Sequence, residues 1–182
     1  TATCGTNGQF DILKCTANTC TPAGNVANSN KAAAKSITGT TTQTVKVLCN
    51  AGYYGGGTAT CGTNGQFNTL TCTANTCTPA GNIANSNKAA AKSITGTTAQ
   101  TVTVTCDTGY YGGGTATCGT NGQFDTSLKC TACQQGTHAS TIGTKSCQTC
   151  SLGTATPAAN KPCQQCTSGT YQNLPSATSY NC

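Results

Sequence analysis

Residues 61–67 read Cys-Gly-Thr-Asn-Gly-Gln-Phe, and the same seven residues, CGTNGQF, occur at 4–10 and at 118–124. Successive copies begin 57 residues apart, so a single period governs most of the 182-residue chain. A fixed period of this length predicts an array of similar small modules rather than one large core.

The composition indicates that these modules depend on covalent cross-links. Charged residues make up 7% and aromatic residues 5% of the chain, and Met, Trp, Arg and Glu are absent. Burial of apolar surface alone is therefore not expected to offset the entropy that the chain loses on folding. Sixteen regularly spaced cysteines, in a chain rich in Thr, Asn and Gly, indicate a disulfide scaffold made in an oxidising compartment. We therefore expect an extracellular or cell-surface protein.

Paired cysteines can also bind zinc or carry out thiol chemistry. Four cysteines near the C-terminal end have the C-x-x-C spacing of a zinc site, namely Cys130, Cys133, Cys147 and Cys150. The pairs continue at Cys163 and Cys166, however, without a break into sets of four, and His138 is the only histidine. A thioredoxin-like role is disfavoured because no βαβ pattern surrounds any pair. We predict that the chain holds no metal or cofactor.

The charge pattern gives no support for nucleic-acid binding. Nine scattered lysines and three aspartates give a net charge of +6, which favours solubility or attraction to acidic surfaces. No stretch is apolar enough to predict a membrane span. The chain starts at Thr1 in the middle of a repeat, so we expect other segments of a longer protein to carry the secretion signal and any anchor.

Catalytic patterns are also missing from the sequence. It contains no Ser/His/Asp or Cys/His arrangement, no pair of carboxylates at a useful spacing, and no phosphate-binding loop with its lysine. His138 lies in a cysteine-rich loop, and we interpret it as an exposed polar residue. We predict that the chain is not an enzyme.

The repeat that begins at Cys77 shows the expected local structure. Residues 78–97 are small and polar and predict a loop, in which 88–92 could form one helical turn, too short to be stable alone. Residues 100–105 alternate, with Val102 and Val104 on one face, which is typical of a half-buried strand.

Two features follow this strand. The segment GYYGGG at 109–114 predicts a bend or bulge in which glycine carries positive φ, and its tyrosines are interpreted as packing against the core and linker. In CGTNGQF, the Asn-Gly pair favours a two-residue type I′ hairpin turn. With the turn at 64–65, Cys61 faces Asn68.

That register excludes one disulfide. Cys61 would lie about four residues, or roughly 13 Å, from Cys72. Because a disulfide needs Cα atoms within about 7 Å, these two cysteines are not expected to bond to each other. Each must reach back to the earlier cysteines of its module, Cys20 and Cys49.

The cysteine order and its flanking residues resemble the sushi, or complement control protein, module. The first full copy carries Gly52-Tyr53 after its second cysteine and Gly65-Gln66-Phe67 before its fourth, with Phe67 and Phe124 standing where the family has tryptophan. The family joins its first cysteine to its third and its second to its fourth. The resemblance thus implies the pairs Cys20–Cys61, Cys49–Cys72, Cys77–Cys118 and Cys106–Cys130.

The first copy of the repeat is truncated. Cys4 and Cys15 correspond to the third and fourth cysteines of a module, and the same register separates them. Their partners are expected either upstream of Thr1 or in another chain, with the upstream segment favoured.

The C-terminal part resembles the short repeats of ephrin-receptor-like and growth-factor-receptor-like ectodomains. Gly-Thr follows three residues after the second cysteine of each C-x-x-C pair, at 136–137, 153–154 and 169–170. We expect sequential pairing, although spacing alone leaves other schemes open. The expected bonds are Cys133–Cys147, Cys150–Cys163 and Cys166–Cys182. These repeats, with Thr-, Ala- and Asn-rich residues between them, also resemble the immobilisation-antigen type of ciliate surface protein.

The predicted fold class is small all-β, disulfide-rich modules in tandem, sushi-like and elongated, followed by an irregular disulfide ladder. Residues 1–15 are the end of a truncated module, and 16–72 and 73–130 are the first and second full modules. Residues 131–182 form the cysteine-rich repeats, called the tail below.

Near-identical copies favour an extracellular structural protein of a coat or fibre that associates with itself, since repeated surfaces can propagate into an open assembly. The alternative is a cell-surface adhesion or ligand-binding module. The threonine-rich runs are candidate O-glycan sites. The candidates are Thr40, Thr41, Thr42, Thr97 and Thr98.

We expect reduction to unfold the modules. Disulfides across the separations of 41 and 23 residues in the first full module contribute roughly 4 and 3 kcal/mol by loop closure. Their sum is comparable with the whole stability of a small domain. Circular dichroism should show no cooperative thermal transition in strong reductant, and an unchanged transition would contradict this prediction.

Overall fold

The computed structural model describes residues 2–12, 14–125 and 127–168. This part of the chain is all-β, without a helix, and it consists of small disulfide-rich modules as predicted. The chain folds as two compact units, Thr1–Thr73 and Ala74–Cys182.

The strands of the first full module pair in two small sheets. Strand β1 pairs antiparallel with β3, and β2 pairs with β4. The bounds are Thr44–Val47 for β1, Tyr53–Gly55 for β2, Gly57–Thr60 for β3 and Cys72–Ala74 for β4.

The second full module repeats this pattern, and the tail adds two further short hairpins. The pairs are β5 with β7, β6 with β8, β9 with β10 and β11 with β12. The module strands are β5 Thr101–Val104, β6 Tyr110–Gly112, β7 Gly114–Thr117 and β8 Cys130–Ala132. The tail strands are β9 Thr137–His138, β10 Gln148–Thr149, β11 Thr154–Ala155 and β12 Gln164–Gln165.

The alternating strand is confirmed in the second full module. In β5, Val104 is buried and pairs with Gly114, and Val102 is partly buried and pairs with Ala116. The alternate residues, Thr101 and Thr103, are exposed. Val104 and Ala116 join Ile94 in a small core beside the first disulfide of the module. A period-two pattern thus places one face of a short strand against the few apolar side chains available.

The three glycines of GYYGGG let the chain change partners. Before them β6 pairs with β8, and after them β7 pairs with β5. At the junction, Gly113 has φ +68°, and a Cβ there would lie 2.4 Å from the carbonyl oxygen of Val104. Glycine is needed here both for its conformation and for the close approach of the backbone. The predicted bend is confirmed.

The CGTNGQF hairpin differs by one residue from the predicted register. Cys61 pairs with Phe67 rather than with Asn68, and Gly62 donates its N–H to the carbonyl of Gln66 at 2.9 Å. Gly65 has φ +76°, whereas Asn64 does not have positive φ. The predicted type I′ turn, which needs positive φ at both central residues, is therefore wrong.

The side chain of Asn64 explains the difference. Its Oδ1 accepts the N–H of Gln66 at 3.1 Å, a local bond that asparagine forms readily in turns. The result is a three-residue loop with glycine at the bulge position. In the corrected register Cys72 lies five residues from the partner of Cys61 instead of four.

The polar segment 78–97 is more ordered than a simple loop. It forms isolated bridges at Ala80–Ile94 and Ser86–Cys106, and Asn87 Oδ1 accepts the N–H of Thr105 at 3.0 Å. Residues 88–92 do not form the helical turn that the sequence allowed within the predicted loop. These residues form turns, and the positive φ of Lys92, +57°, is incompatible with a right-handed helix.

Six disulfides join the cysteines of the described residues, with Cα–Cα distances of 5.4 to 5.9 Å. The full modules contain the pairs that the sushi resemblance implies, namely Cys20–Cys61, Cys49–Cys72, Cys77–Cys118 and Cys106–Cys130. The tail contains Cys133–Cys147 and Cys150–Cys163. The expected bond from Cys166 to Cys182 involves a residue outside the described ones.

Substitution by alanine should destabilise a glycine with a close backbone neighbour more than a glycine that only has positive φ. Gly113→Ala adds a backbone clash to the cost of a left-handed conformation and should lower the free energy of unfolding by about 3 kcal/mol. Gly122→Ala is the matched control, because φ is +77° but no heavy atom lies within 4 Å of a Cβ there, so about 1 kcal/mol is expected. Denaturant unfolding followed by circular dichroism measures both. Equal losses would show that close approach does not matter.

Candidate functional site

A docking surface for the tail lies on the second full module, around β6. We call it the tail-docking surface, and it consists of Thr105, Cys106, Gly109, Tyr110 and Gly112. Most of its contacts use backbone groups, which its glycines leave accessible. These contacts hold the tail against the second full module, within the unit Ala74–Cys182.

Three backbone hydrogen bonds join the surface to tail residues 139–144. Gly109 donates to the carbonyl of Ala139 at 2.9 Å, and Gly112 donates to that of Thr144 at 3.1 Å. In return, Gly143 of the tail donates to the carbonyl of Cys106 at 2.9 Å. These bonds connect the edge of β6 to an irregular segment, so a tail with little apolar core obtains order from the module.

Asn160 provides the second contact. Its Nδ2 donates to the hydroxyl of Tyr110 at 2.8 Å, and its backbone N–H donates to the carbonyl of Cys133 at 2.9 Å. A Cβ at Gly109 would lie 2.2 Å from the Asn160 carbonyl oxygen, so only glycine fits between the two chain segments. Tyr110 thus acts in packing between module and tail.

A cleft of about 400 Å³ opens next to this surface. Tyr111 provides an aromatic wall, and the other hydrogen-bonding groups are neutral side chains. They are Thr131, Gln134, Thr137 and Ser146. A lining of one ring and neutral polar groups suits an uncharged polar ligand better than an anion or a cation.

The first full module carries the same GYYGGG sequence at 52–57, with one large side chain exposed within it and another shortly before it. Tyr54 is 60% exposed and Leu48 is 51% exposed. Leu48 occupies the position of Thr105, which lies against the tail in the second full module, where a Cβ at Gly143 would be 3.6 Å from Thr105 Cγ2. The Leu48/Thr105 difference between the copies is visible in the sequence, but the sequence alone does not predict that the tail binds at this position.

The candidate O-glycan threonines differ in accessibility. Thr42 is exposed, and Thr40, Thr41 and Thr97 are partly buried. Thr98 is only 6% exposed, and its hydroxyl donates to the carbonyl of Asn75 at 3.3 Å. An enzyme that attaches sugar needs an accessible hydroxyl, so Thr42 is the best suited of the five and Thr98 the least. Ala99 replaces Thr42 in the second full module.

The cysteines considered for zinc are all used in disulfides. Cys130 is bonded to Cys106, outside the C-x-x-C pairs, and the other three bond within the tail. Among the described residues, Cys4 and Cys15 are free and exposed.

The interpretation of His138 as an exposed residue is corrected by the structure. The side chain is partly buried, and Nδ1 lies 3.0 Å from the sulfur of Cys163, because the β9–β10 hairpin turns the ring toward the next disulfide.

The described residues include no helix long and apolar enough to cross a membrane. No protein-family model matches the chain, and no curated protein matches it. The six disulfides indicate folding in an oxidising environment.

Docking of the tail should depend on Gly109. In Gly109→Ala, the new Cβ meets the Asn160 backbone, so amide hydrogen exchange at Gly112 and Gly143 should rise about tenfold while β5 and β7 stay protected. Gly153→Ala is the control, since φ is +76° there and no heavy atom lies within 4 Å. Unchanged exchange in Gly109→Ala would show that the tail is held by other contacts.

Proposed function

We propose that this chain is part of an extracellular structural protein, a surface coat or fibre, in which repeated disulfide-stapled modules provide many equivalent contacts. The observation that supports this best is the near-identity of the two full modules in three dimensions. A cell-surface location is part of the proposal and is supported by the number of disulfides.

The equivalence extends from the cross-links to single backbone angles. The disulfides Cys20–Cys61 and Cys77–Cys118 have the same Cα–Cα distance of 5.9 Å. Asn28 and Asn85 share a φ of +58°, and Lys35 and Lys92 share +57°. Modules that fold so alike present the same backbone surface twice in one chain. Such repetition provides length and equivalent contacts, whereas a specific receptor needs only one well-formed site.

The substitutions between the copies are mostly at the surface. Val26 and Ile83 are both buried and both apolar, so the core is preserved. The other differences include Thr42/Ala99, Lys46/Thr103, Leu48/Thr105, Asn50/Asp107 and Ala51/Thr108, and the second copy has one more residue between its third and fourth cysteines. Of these, Leu48 adds exposed apolar area beside the GYYGGG segment. The first full module therefore differs from the second where the second binds the tail.

We infer that the exposed surface around Leu48 and Tyr54 is covered by a second copy of the chain. Its GYYGGG edge at 52–57 has the same sequence as the edge at 109–114 that binds residues 139–144 in the second full module. If such a contact is head-to-tail and does not close into a ring, it produces an open chain of subunits. The inference accounts for two large apolar side chains that would otherwise lie in water.

A second candidate, ligand binding, is supported by the cleft beside Tyr111. Its neutral lining fits a polar uncharged group such as a sugar, whose faces stack on aromatic rings. In this function the chain would act as an adhesion module, and self-association would not be required.

Assembly of the purified chain distinguishes the two functions. We expect negative-stain images to show extended polymers with a regular repeat. Leu48→Thr, which introduces the residue of the second full module, should raise the concentration needed for assembly about tenfold because it removes exposed apolar area.

Lys46→Thr is the matched control, since it also introduces the residue of the second full module at an exposed position. It should leave assembly unchanged. Monodisperse subunits at all concentrations would contradict the structural function, and binding of a neutral saccharide by those subunits would favour the second candidate.

A further inference from the structure

The only histidine of the chain lies against a disulfide in the tail. Nδ1 of His138 is 3.0 Å from Sγ of Cys163 and 3.1 Å from the carbonyl oxygen of Gln148. The nitrogen and the sulfurs of Cys150 and Cys163 all lie within 4.8 Å of one another. The sequence placed His138 in a loop without a partner, so this cluster was not expected.

The two neighbours of Nδ1 determine where its proton lies. A carbonyl oxygen accepts hydrogen bonds and cannot donate one, and a disulfide sulfur carries no hydrogen. Both neighbours therefore call for a hydrogen on Nδ1, which the ring shares between Gln148 and Cys163. The imidazole ring of His138 therefore points an N–H donor, and not a nitrogen lone pair, toward Cys163 Sγ.

We propose that the Cys150–Cys163 disulfide is a thiol-exchange site at which a small thiol or a protein thiol attacks Cys163. Cys150 is only 2% exposed, whereas Cys163 is partly buried, so Cys163 offers the accessible sulfur. The attacking thiolate forms a bond to Cys163 Sγ, the bond between Cys163 and Cys150 breaks, and its electron pair leaves on Cys150 as a thiolate.

A second thiolate of the same class completes the reduction. It attacks the sulfur of the first thiol in the mixed disulfide, and Cys163 leaves as a thiolate. The two external thiols are oxidised to a disulfide, and the two cysteine thiolates take protons from water. His138 Nδ1–H donates a hydrogen bond to the Cys163 thiolate as it forms, and a better-stabilised leaving thiolate leaves faster. His138 is thus a positioning donor in the exchange.

The tail contains a matched disulfide without this donor. Cys133–Cys147 also has a Cα–Cα distance of 5.7 Å, spans 14 residues against 13, and likewise joins a buried cysteine to a partly buried one. No other histidine exists in the chain to accompany it. A difference in reactivity between the two disulfides therefore reports on His138.

Opening the site would affect the contact with the module. The loop closed by Cys150 and Cys163 contains Asn160, which bonds to Tyr110 and to the carbonyl of Cys133. Removing the cross-link lengthens the free segment that carries Asn160 and weakens its placement. Exchange at Cys163 would thus release part of the tail from the second full module.

Glutathione is a suitable probe. After brief exposure of the intact chain to limiting glutathione, alkylation and peptide mass spectrometry should locate the adduct on Cys163. With excess glutathione, the adduct on Cys163 should be resolved to the free thiol about tenfold faster than the corresponding adduct on Cys147, the factor expected for one hydrogen bond to the departing Cys163 thiolate. Equal rates for the two adducts in the unchanged chain would overturn the proposal without any variant.

Two variants test the donor itself. His138→Ala should remove the rate difference, while His138→Asn, whose amide N–H lies near the place of Nδ1–H, should retain most of it. The rate for the adduct on Cys147 should be the same in all three proteins. A difference that persists in His138→Ala, or that is lost equally in both variants, would contradict a role for the hydrogen bond.

Discussion

Cross-linking by two disulfides in each full module is the constraint on which the remaining structure depends. The sheets are two-stranded, with strands of three or four residues, and such a hairpin is marginal in water by itself. The disulfide Cys106–Cys130 ties the turn before β6 to the start of β8, and Cys77–Cys118 ties the end of β7 to the beginning of the module. With those points fixed, few backbone bonds and a handful of apolar side chains are enough.

Short polar side chains provide the order that a larger core would otherwise give. The side-chain oxygen of Asn87 accepts the N–H of Thr105, as the backbone of a neighbouring strand would. Ser86 is almost fully buried, and its hydroxyl donates to the carbonyl of Ile83 at 2.6 Å. Asn82 and Asn85 adopt positive φ, which asparagine tolerates better than most residues. The high content of Asn, Ser and Thr is therefore part of the fold and not only a feature of exposed loops.

Much of this could be predicted from the sequence because the signals are local. The alternation at 100–105 and the glycines at 112–114 each describe a few neighbouring residues. The hairpin register was missed by one residue because Asn64 caps the backbone with its side chain, a choice that an Asn-Gly pair alone does not reveal. Tail docking and the contact of His138 with Cys163 depend on residues 25 to 50 positions apart, without a periodic pattern to indicate them.

Because the tail binds the second full module through backbone groups, the side chains around this contact can differ between repeats. The bonds at Gly109 and Gly112 are made by N–H groups and need no particular neighbouring side chain, while positive φ and close backbone carbonyl oxygens leave no room for a Cβ at either residue. Surface residues such as Lys46 and Thr42 can then change between copies while the glycine-rich edge stays the same. In a repeat built in this way, glycine and cystine determine the docking geometry of the backbone, and the exposed side chains are free to diverge.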